Sequence, residues 1–418
     1  MTSHLIPPYG GTLVDLPASE ERSRELKALA RDAASWTLTP RQSCDLELLL
    51  NGAFSPLTGF MNERDYHGVC ESMRLANGTL WPIPIALDVT EEAAAKVKPG
   101  SLLFLRDVEG VALAALHVEE LYRPDLAREA ELVYGSTNPE HPAVNHLLHK
   151  TAPVCIGGRV EGLQLPVHYD FIPLRQTPAE LRKRFAELGW RRIVAFQTRN
   201  PLHRAHEYAL VYGLETLLRA GHNAGACLNP LIGETKGDDV DADVRMHTYE
   251  ALINTRALGS GDSDPQLWGP RNESVPDRVI LLGLDIKMFY GGPSEAIMHA
   301  IYRQNFGFTD LIIGRKHADA PYHDGTPIWG DFDAQEIFDH LAGDLQIRPL
   351  RVGFAAFYQS LGRVDLMENH PDEKPVFISG QQVRKALLAG RPVDPRIMRE
   401  STAAILAAAM GRRGPGLQ

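Results

Sequence analysis

The chain of 418 residues has only four cysteines, Cys44, Cys70, Cys155 and Cys227, and no two approach a Cys-x-x-Cys spacing. That excludes a disulfide scaffold and a zinc ribbon, and leaves buried reduced thiols as the reading. Long apolar runs are missing too. Although 44% of the residues are hydrophobic, no stretch reaches the roughly 18 that a membrane-spanning helix needs. Positive charge is also short: 43 Lys and Arg against 53 Asp and Glu give a formal net charge of -10. Such a surface repels nucleic acid as a whole and confines anion binding to a locally basic cleft. Residues 1–8 show neither a basic start followed by an apolar stretch nor an Arg-rich amphipathic pattern, so a cytoplasmic protein without membrane or nucleic-acid partner is expected. Two phosphate signatures are absent as well. No Gly-x-x-x-x-Gly-Lys-Ser/Thr occurs, and no Gly-x-Gly-x-x-Gly follows a strand, which removes the usual support for P-loop kinases and dinucleotide-dependent dehydrogenases.

What is present falls into segments of different texture, and the length predicts two or three domains. Residues 1–170 hold short apolar runs broken by Gly and Pro, as in 80–87 and 101–105, and predict short strands. One amphipathic helix is expected over 19–35, with Leu26, Leu29 and Ala30 on one face. From residue 178 the pattern becomes helix (178–188), strand (193–196), then a helix from Pro201. Further apolar runs at 279–282, 311–313 and 376–378 alternate with helical stretches at 294–305 and 334–342. Continuous apolar strands between helices predict an α/β fold with a parallel sheet covered on both faces. Residues 258–276 read as a polar surface insertion. The expected division is 1–170, 171–390 and a short C-terminal segment, 391–418.

In such sheets ligands bind beyond the carboxyl ends of the strands. Four of these edges carry anion-binding chemistry: Gln197-Thr198-Arg199-Asn200, Gly233-Glu234-Thr235-Lys236-Gly237, Gly314-Arg315-Lys316-His317, and Ser379-Gly380-Gln381-Gln382 with Arg384. The first is the most informative. Asn200 suits an N-cap and Pro201 the N1 position, which predicts a helix start whose unpaired N–H groups attract phosphate or sulfate. His203 and His206 then share one face of its first turn, while Arg199 can grip a tetrahedral oxyanion and Gln197 and Thr198 add neutral donors. Zinc is disfavoured, because zinc helices space His at i and i+4 with a Glu base. Ser379 and Gln382 form a capping box, which explains them structurally as well.

The run Gln197-Thr198-Arg199-Asn200-Pro201-Leu202-His203-Arg204-Ala205-His206 matches in full the pattern Gln-x-Arg-Asn-Pro-x-His-x-x-His, and on it the chain resembles the ATP sulfurylases (sulfate adenylyltransferases). Residues 51–61 and 81–85 are similar to that family's N-terminal domain, and Tyr290-Gly291-Gly292-Pro293-Ser294-Glu295-Ala296 resembles a later segment. The resemblance implies an N-terminal PUA-like, mostly β domain followed by a Rossmann-like nucleotidyltransferase α/β domain. It implies that sulfate attacks the α-phosphorus of ATP in line and pyrophosphate leaves, or that adenylylsulfate and pyrophosphate return ATP. By motif position, Thr198, Arg199, Asn200, His203 and His206 are the catalytic residues. Gln197, Arg199 and the Ala318 backbone would hold sulfate. Residues 197–200, His203, His206, Gly314, Arg315, Lys316 and His317 would hold ATP, with Phe357 against adenine.

Sulfate is already ionised, so the histidines are expected to act as donors to phosphate oxygens, not as bases. Mg²⁺ would arrive as MgATP, without a dedicated carboxylate cage. The family's usual Gly-Arg-Asp-His-Ala-Gly is here Gly314-Arg315-Lys316-His317-Ala318-Asp319, and its Ser-Gly-Thr is Ser379-Gly380-Gln381. Where some relatives carry a zinc knuckle this chain reads Phe357-Tyr358-Gln359-Ser360-Leu361-Gly362, leaving His370 alone, so no bound zinc is expected. With the sequence ending at Gln418, the kinase or kinase-like domain fused in some relatives is not expected. A homodimer or larger homo-oligomer is expected from the resemblance. Competing readings are another His-x-x-His nucleotidyltransferase with a different acceptor, a noncatalytic PUA-like RNA-binding protein, and a regulatory sulfurylase without activity.

Overall fold

The computed structural model describes residues 5–233, 240–341, 343–378 and 380–412. The N-terminal half is built on a mostly antiparallel sheet of β1 (Ser35–Thr37), β2 (Gly59–Phe60), β3 (Asp88–Val89), β4 (Leu102–Arg106), β5 (Ala112–Tyr122) and β6 (Val154–Gly162), in the order β1-β4-β5-β6-β2 with β3 also on β6. The helix Pro40–Leu50 packs into the same core. Its start is specified locally by Pro40 in the first turn and a reciprocal capping box between Thr39 and Gln42.

The second half carries a five-stranded sheet of β7 (Arg192–Thr198), β8 (Ala224–Pro230), β9 (Val279–Leu281), β10 (Asp310–Ile313) and β11 (Arg348–Arg351). Every neighbouring pair is parallel, and the order is β11-β10-β7-β8-β9. Successive side chains of β7 point to opposite faces. Ile193 and Ala195 join one core with Leu181 and Phe185 of the helix Pro178–Leu188 and Ile297 and Ile301 of the helix Gly292–Phe306. Val194 and Phe196 join another with Leu210 and Leu214 of the helix Arg204–Arg219 and Met246 of the helix Ala242–Asn254. A strand covered on both sides has to be apolar throughout, which is why the run at 193–196 was readable.

The chain leaves β7 for β8 and β9 on one side, then returns to β10 and β11 on the other. The gap between β7 and β10 is therefore the sheet's switch point, where the loops after the two strands diverge and leave a crevice. Both halves share one core on the Ile193 face. Phe54 lies 5.3 Å from Tyr302, and Asn305 donates to the carbonyls of Ala53 and Ser55. The hairpin of β12 (Ala355–Tyr358) and β13 (Arg363–Leu366) packs on the other face, against the helix Arg204–Arg219. Among the described residues no helix is long and apolar enough to cross a membrane. All four cysteines are free and buried.

Several expectations are corrected. β8 was not anticipated, because its Ala, Gly, Cys and Asn residues hide a strand in which all seven positions are buried. Its Gly225 is required by packing: a Cβ there would lie 2.1 Å from the Trp190 ring. Residues 376–378 form no strand, only a bridge from Val376 to Phe357. The helix at 334–342 shrinks to a single turn, Asp333–Glu336, followed by a 3₁₀ segment, Ile337–His340. The helix over 19–35 spans Glu20–Leu29, with Leu26 buried but Leu29 51% exposed.

Residues 258–276, read as a polar surface insertion, do lie at the surface over 260–261 and 269–272 but are anchored. Leu258, Asp262, Trp268 and Val275 are all buried, and Trp268 Nε1 donates to Glu215 of the helix Arg204–Arg219 at 2.8 Å. Four residues of the loop 233–237, and Ser379 with the capping box proposed for it, lie outside the described residues.

Candidate active site

The predicted helix does not start at Pro201. It runs Arg204–Arg219 with His203 as its N-cap, and the His203 ring accepts the His206 N–H through Nδ1 at 3.2 Å. The reason lies in the partners of the first turn: the Asn200 carbonyl, which a helix from Pro201 would pair with the Arg204 N–H, accepts instead from Thr198 Oγ1 (3.0 Å) and Tyr249 Oη (2.8 Å). The Arg204 N–H goes to the carbonyl of Ile397. The histidines still come together, with ring centroids 3.6 Å apart and planes within 16°. Because His203 Nδ1 is an acceptor, the proton of its neutral ring is on Nε2. Burial pushes His203 well down from the usual histidine value, with the neighbouring His206 adding to it, and burial pushes His206 down to about 4. Both are neutral donors at pH 7 in the free protein.

A cavity of about 1220 Å³ opens at this helix start. Asn200, His203 and His206 line it with Asp241, Asp243, Arg384 and Lys385, while Val244, Val383, Met398 and Leu406 supply apolar wall. It has room for a nucleotide. Phe357 is elsewhere. Its ring is 5% exposed in the core, with the Arg204 guanidinium 5.1 Å from the ring centroid, and it does not line the cavity.

On the other side of the same loop, Gln197 and Arg199 turn toward the switch point. Arg199 donates to Tyr290 Oη at 3.2 Å, with its guanidinium 5.3 Å from the centroid of that ring. Gln197 Nε2 is 3.5 Å from His299 Nε2 and 3.6 Å from Met288 Sδ, while its Oε1 is buried without a partner. Exchanging the two amide positions lets the oxygen accept from an imidazole N–H and turns the NH₂ into the unpartnered place, where it can donate to an anion. His299 Nδ1 is 2.9 Å from His317 Nε2, so one histidine joins the edge after β7 to the loop after β10. Burial, and next His299, push His317 down to about 3. The structure thus links Gln197 to His317 through His299 with Arg199 on Tyr290 beside them, and places Asn200, His203 and His206 on the cavity wall with Thr198 buried behind Asn200.

Tyr290, Glu295 and His299 escaped the residue-by-residue reading. A signal for the last two existed: Glu and His four apart on a helix face each other, and they are the i,i+4 pair at 3.3 Å here.

Comparison with known proteins decides among the readings of such a site. The family model described as ATP-sulfurylase matches residues 173–409, more than half of the chain, and one described as a PUA-like domain matches residues 6–165. The chain belongs to the ATP-sulfurylase family. Among its relatives, the sulfate adenylyltransferase of Pyropia yezoensis is 44% identical over 370 residues, covering 86% of this chain and 87% of that one. The sulfate adenylyltransferase of Synechococcus sp. (strain JA-3-3Ab) is 39% identical over 412 residues, covering 98% of both. A solved structure titled "Hexameric APS kinase from Thiobacillus denitrificans" superposes with a TM-score of 0.73 at 26% identity, over 98% of this chain and 69% of that one.

Against the ATP-sulfurylase pattern, the altered loop after β10 keeps a definite shape. Lys316 and Ala318 both take positive φ, +51° and +56°. Lys316 N–H donates to the Asp331 carbonyl at 2.9 Å, and its Nζ lies 3.7 Å from the Asp331 carboxylate, which also faces Arg315 at 3.5 Å. The substituted lysine is therefore held by an outer acid. The Ala318 carbonyl accepts from Gly292 N–H, tying this loop to the helix Gly292–Phe306. His370, the lone counterpart of the zinc knuckle, packs 4.4 Å from the Tyr358 ring and pairs with Asp365 (3.3 Å) and Glu373 (3.1 Å).

Proposed function

We propose that the chain joins sulfate to the α-phosphorus of ATP at this switch point and releases pyrophosphate. Membership of the ATP-sulfurylase family and the sulfate adenylyltransferase relatives support the activity. The observation that carries the allotment of roles is the crevice between β7 and β10, where Gln197 is linked to His317 through His299 and Arg199 meets Tyr290, while His203 and His206 open on the large cavity.

In this reading Gln197, Arg199 and the Ala318 backbone hold sulfate, with an oxygen aimed at the α-phosphorus. Arg199 gives a bidentate, charge-assisted grip that Lys could not reproduce. The polyphosphate lies along the cavity side, on Thr198, Asn200, His203 and His206, and reaches Gly314, Arg315, Lys316 and His317. The ion pairs of Arg315 and Lys316 to Asp331 are partly exposed and so worth about 0–1 kcal/mol, little against an arriving triphosphate. Sulfate brings no proton to remove, so the chain's task is alignment and charge neutralisation in the transition state. The His203 Nε2–H and the His206 ring meet the oxygens of the α-phosphate as charge builds on them. The reverse reaction uses the same contacts, and metabolite levels choose the direction.

Mg²⁺ would enter bound to ATP and neutralise its β- and γ-phosphates. Among the described residues no group of three or more His, Cys, Asp or Glu could hold a metal, and the cavity wall offers only Asp241 and Asp243, a donor set that suits an ion carried on the nucleotide. A cytoplasmic location is part of this proposal and rests on the four free, buried thiols, which belong in a reducing compartment. So is assembly into a homodimer or larger homo-oligomer, in keeping with the hexamer named for the similar structure.

The test is ATP formation from adenylylsulfate and pyrophosphate by the purified chain and by His206→Asn. The parent chain is expected to form ATP, and the variant to lose about 10²-fold in turnover with ATP affinity changed much less. No ATP from the parent chain would overturn the proposal. Loss of affinity with turnover intact would make His206 a binding residue only.

A further inference from the structure

One carboxylate behind the crevice bonds to the turn that carries Tyr290 and lies beside His299 of its own helix. Glu295 lies in the first turn of the helix Gly292–Phe306 and is fully buried. Its Oε1 accepts the Phe289 N–H at 2.9 Å and its Oε2 the Gly291 N–H at 3.0 Å. Those two bonds clamp both sides of Tyr290, a non-glycine residue at φ +55°, in the left-handed region that such residues adopt only when their surroundings impose it. From the N-terminal half, His141 Nε2 reaches the Tyr290 carbonyl at 3.0 Å. The ring so held is the one that meets Arg199 through both its hydroxyl and its face.

The same carboxylate faces His299 Nε2 at 3.3 Å. His299 Nδ1 in turn lies 2.9 Å from His317 Nε2, and its Nε2 lies 3.5 Å from the Gln197 amide, so the packing of this imidazole beside Glu295 sets where both side chains stand.

We infer that Glu295 is the positioning residue of the sulfate half of the site, fixing Arg199 through the Tyr290 turn and packing beside the His299 ring that Gln197 and His317 meet, without touching substrate itself. The inference rests on the reading that Gln197 and Arg199 hold sulfate. Glu295→Gln is nearly isosteric but puts an NH₂ against the N–H of Phe289 or of Gly291, so one arm of the clamp on Tyr290 must open.

The experiment compares the parent chain, Glu295→Gln and Tyr290→Phe, measuring KM for sulfate, KM for ATP, kcat and the thermal unfolding midpoint. Glu295→Gln is expected to raise the sulfate KM at least about tenfold and to lower kcat about 100-fold, with the ATP KM within about threefold of the parent. Tyr290→Phe, which removes only the hydroxyl bound to Arg199, is expected to shift the sulfate KM the same way by a smaller factor. A merely structural glutamate would lower the unfolding midpoint or the active fraction and leave both KM values in place, and that result overturns the inference. If Glu295→Gln does not fold, Tyr290→Phe decides: a parental sulfate KM refutes the clamp, and a sulfate-selective rise supports it. A parent chain without sulfate-dependent turnover removes the proposed function and this inference with it, whereas an active parent with indifferent variants removes the inference alone.

Discussion

Replacing Arg199 by alanine is expected to lower sulfate-dependent pyrophosphate release by at least about 10³-fold while the unfolding midpoint stays close to that of the parent chain. Removing a single neutral donor at a site of developing charge typically costs 10²–10³-fold, and a guanidinium that both grips and neutralises a dianion should cost more. The fold should survive because the side chain is only half-buried and belongs to neither hydrophobic core. Arg199→Lys separates charge from geometry: it restores the charge without the planar fork, and is expected to recover only a small part of the rate. Steady-state rates over a sulfate titration, with a thermal melt of each variant, check this. A near-normal rate in Arg199→Ala would take Arg199 out of the sulfate site.

Replacing Arg399 by alanine should instead damage the scaffold. The buried Glu207 accepts from Arg399 Nε at 2.7 Å and from the Gly259 N–H at 3.1 Å. Arg399 also reaches the Ser260 carbonyl and Asp262, and Asp262 in turn grips Arg204 of the motif and accepts the Val364 N–H. One network thus ties the C-terminal segment, the 258–276 region and β13 to the start of the helix that carries His206. Arg399→Ala strands a carboxylate in the interior, which costs about 3–5 kcal/mol.

The pH dependence has a definite sign. Burial already holds the Glu207 pKa above its usual value, against the opposing pull of Arg399, and removing Arg399 raises it further. The penalty applies to the ionised form in the folded state, so it grows as pH rises from the unfolded carboxyl value of 4.5 toward the raised folded value, and is absent below that window. Urea unfolding at pH 5 and pH 8 should therefore show the larger deficit at pH 8. The double variant Glu207→Gln with Arg399→Ala should regain most of it, and a double variant as unstable as the single one would contradict this account.

The sequence was most legible where one physical demand acted alone. β7 had to be apolar on both faces, so its run stood out, and the polar residues after it marked the ligand edge. β8 faces the same demand but meets it with small residues, because Trp190 occupies the space a side chain at position 225 would need. The helix start was misplaced by three residues. Proline is equally at home in a first helical turn and in the extended segment before one, and only the Tyr249 hydroxyl and the Ile397 carbonyl choose between them. Residues 258–276 looked like surface because they are polar, yet Asp262 is buried by arginines 58 residues before it and 137 after it, pairings that no local pattern encodes. The same limit hid Glu295. Its spacing to His299 was visible, while the turn it clamps and the loop it reaches through His317 are contacts made only in the fold.

The central claim, that this crevice activates sulfate with ATP, is tested most directly by pyrophosphate release from MgATP by the full chain, with sulfate and then with molybdate. Molybdate should take the place of sulfate on Gln197 and Arg199 and give an unstable product, so continuous pyrophosphate release with AMP formation is predicted, alongside release with sulfate that stalls as adenylylsulfate accumulates. Release that depends on neither oxyanion, or no release at all, would contradict the account.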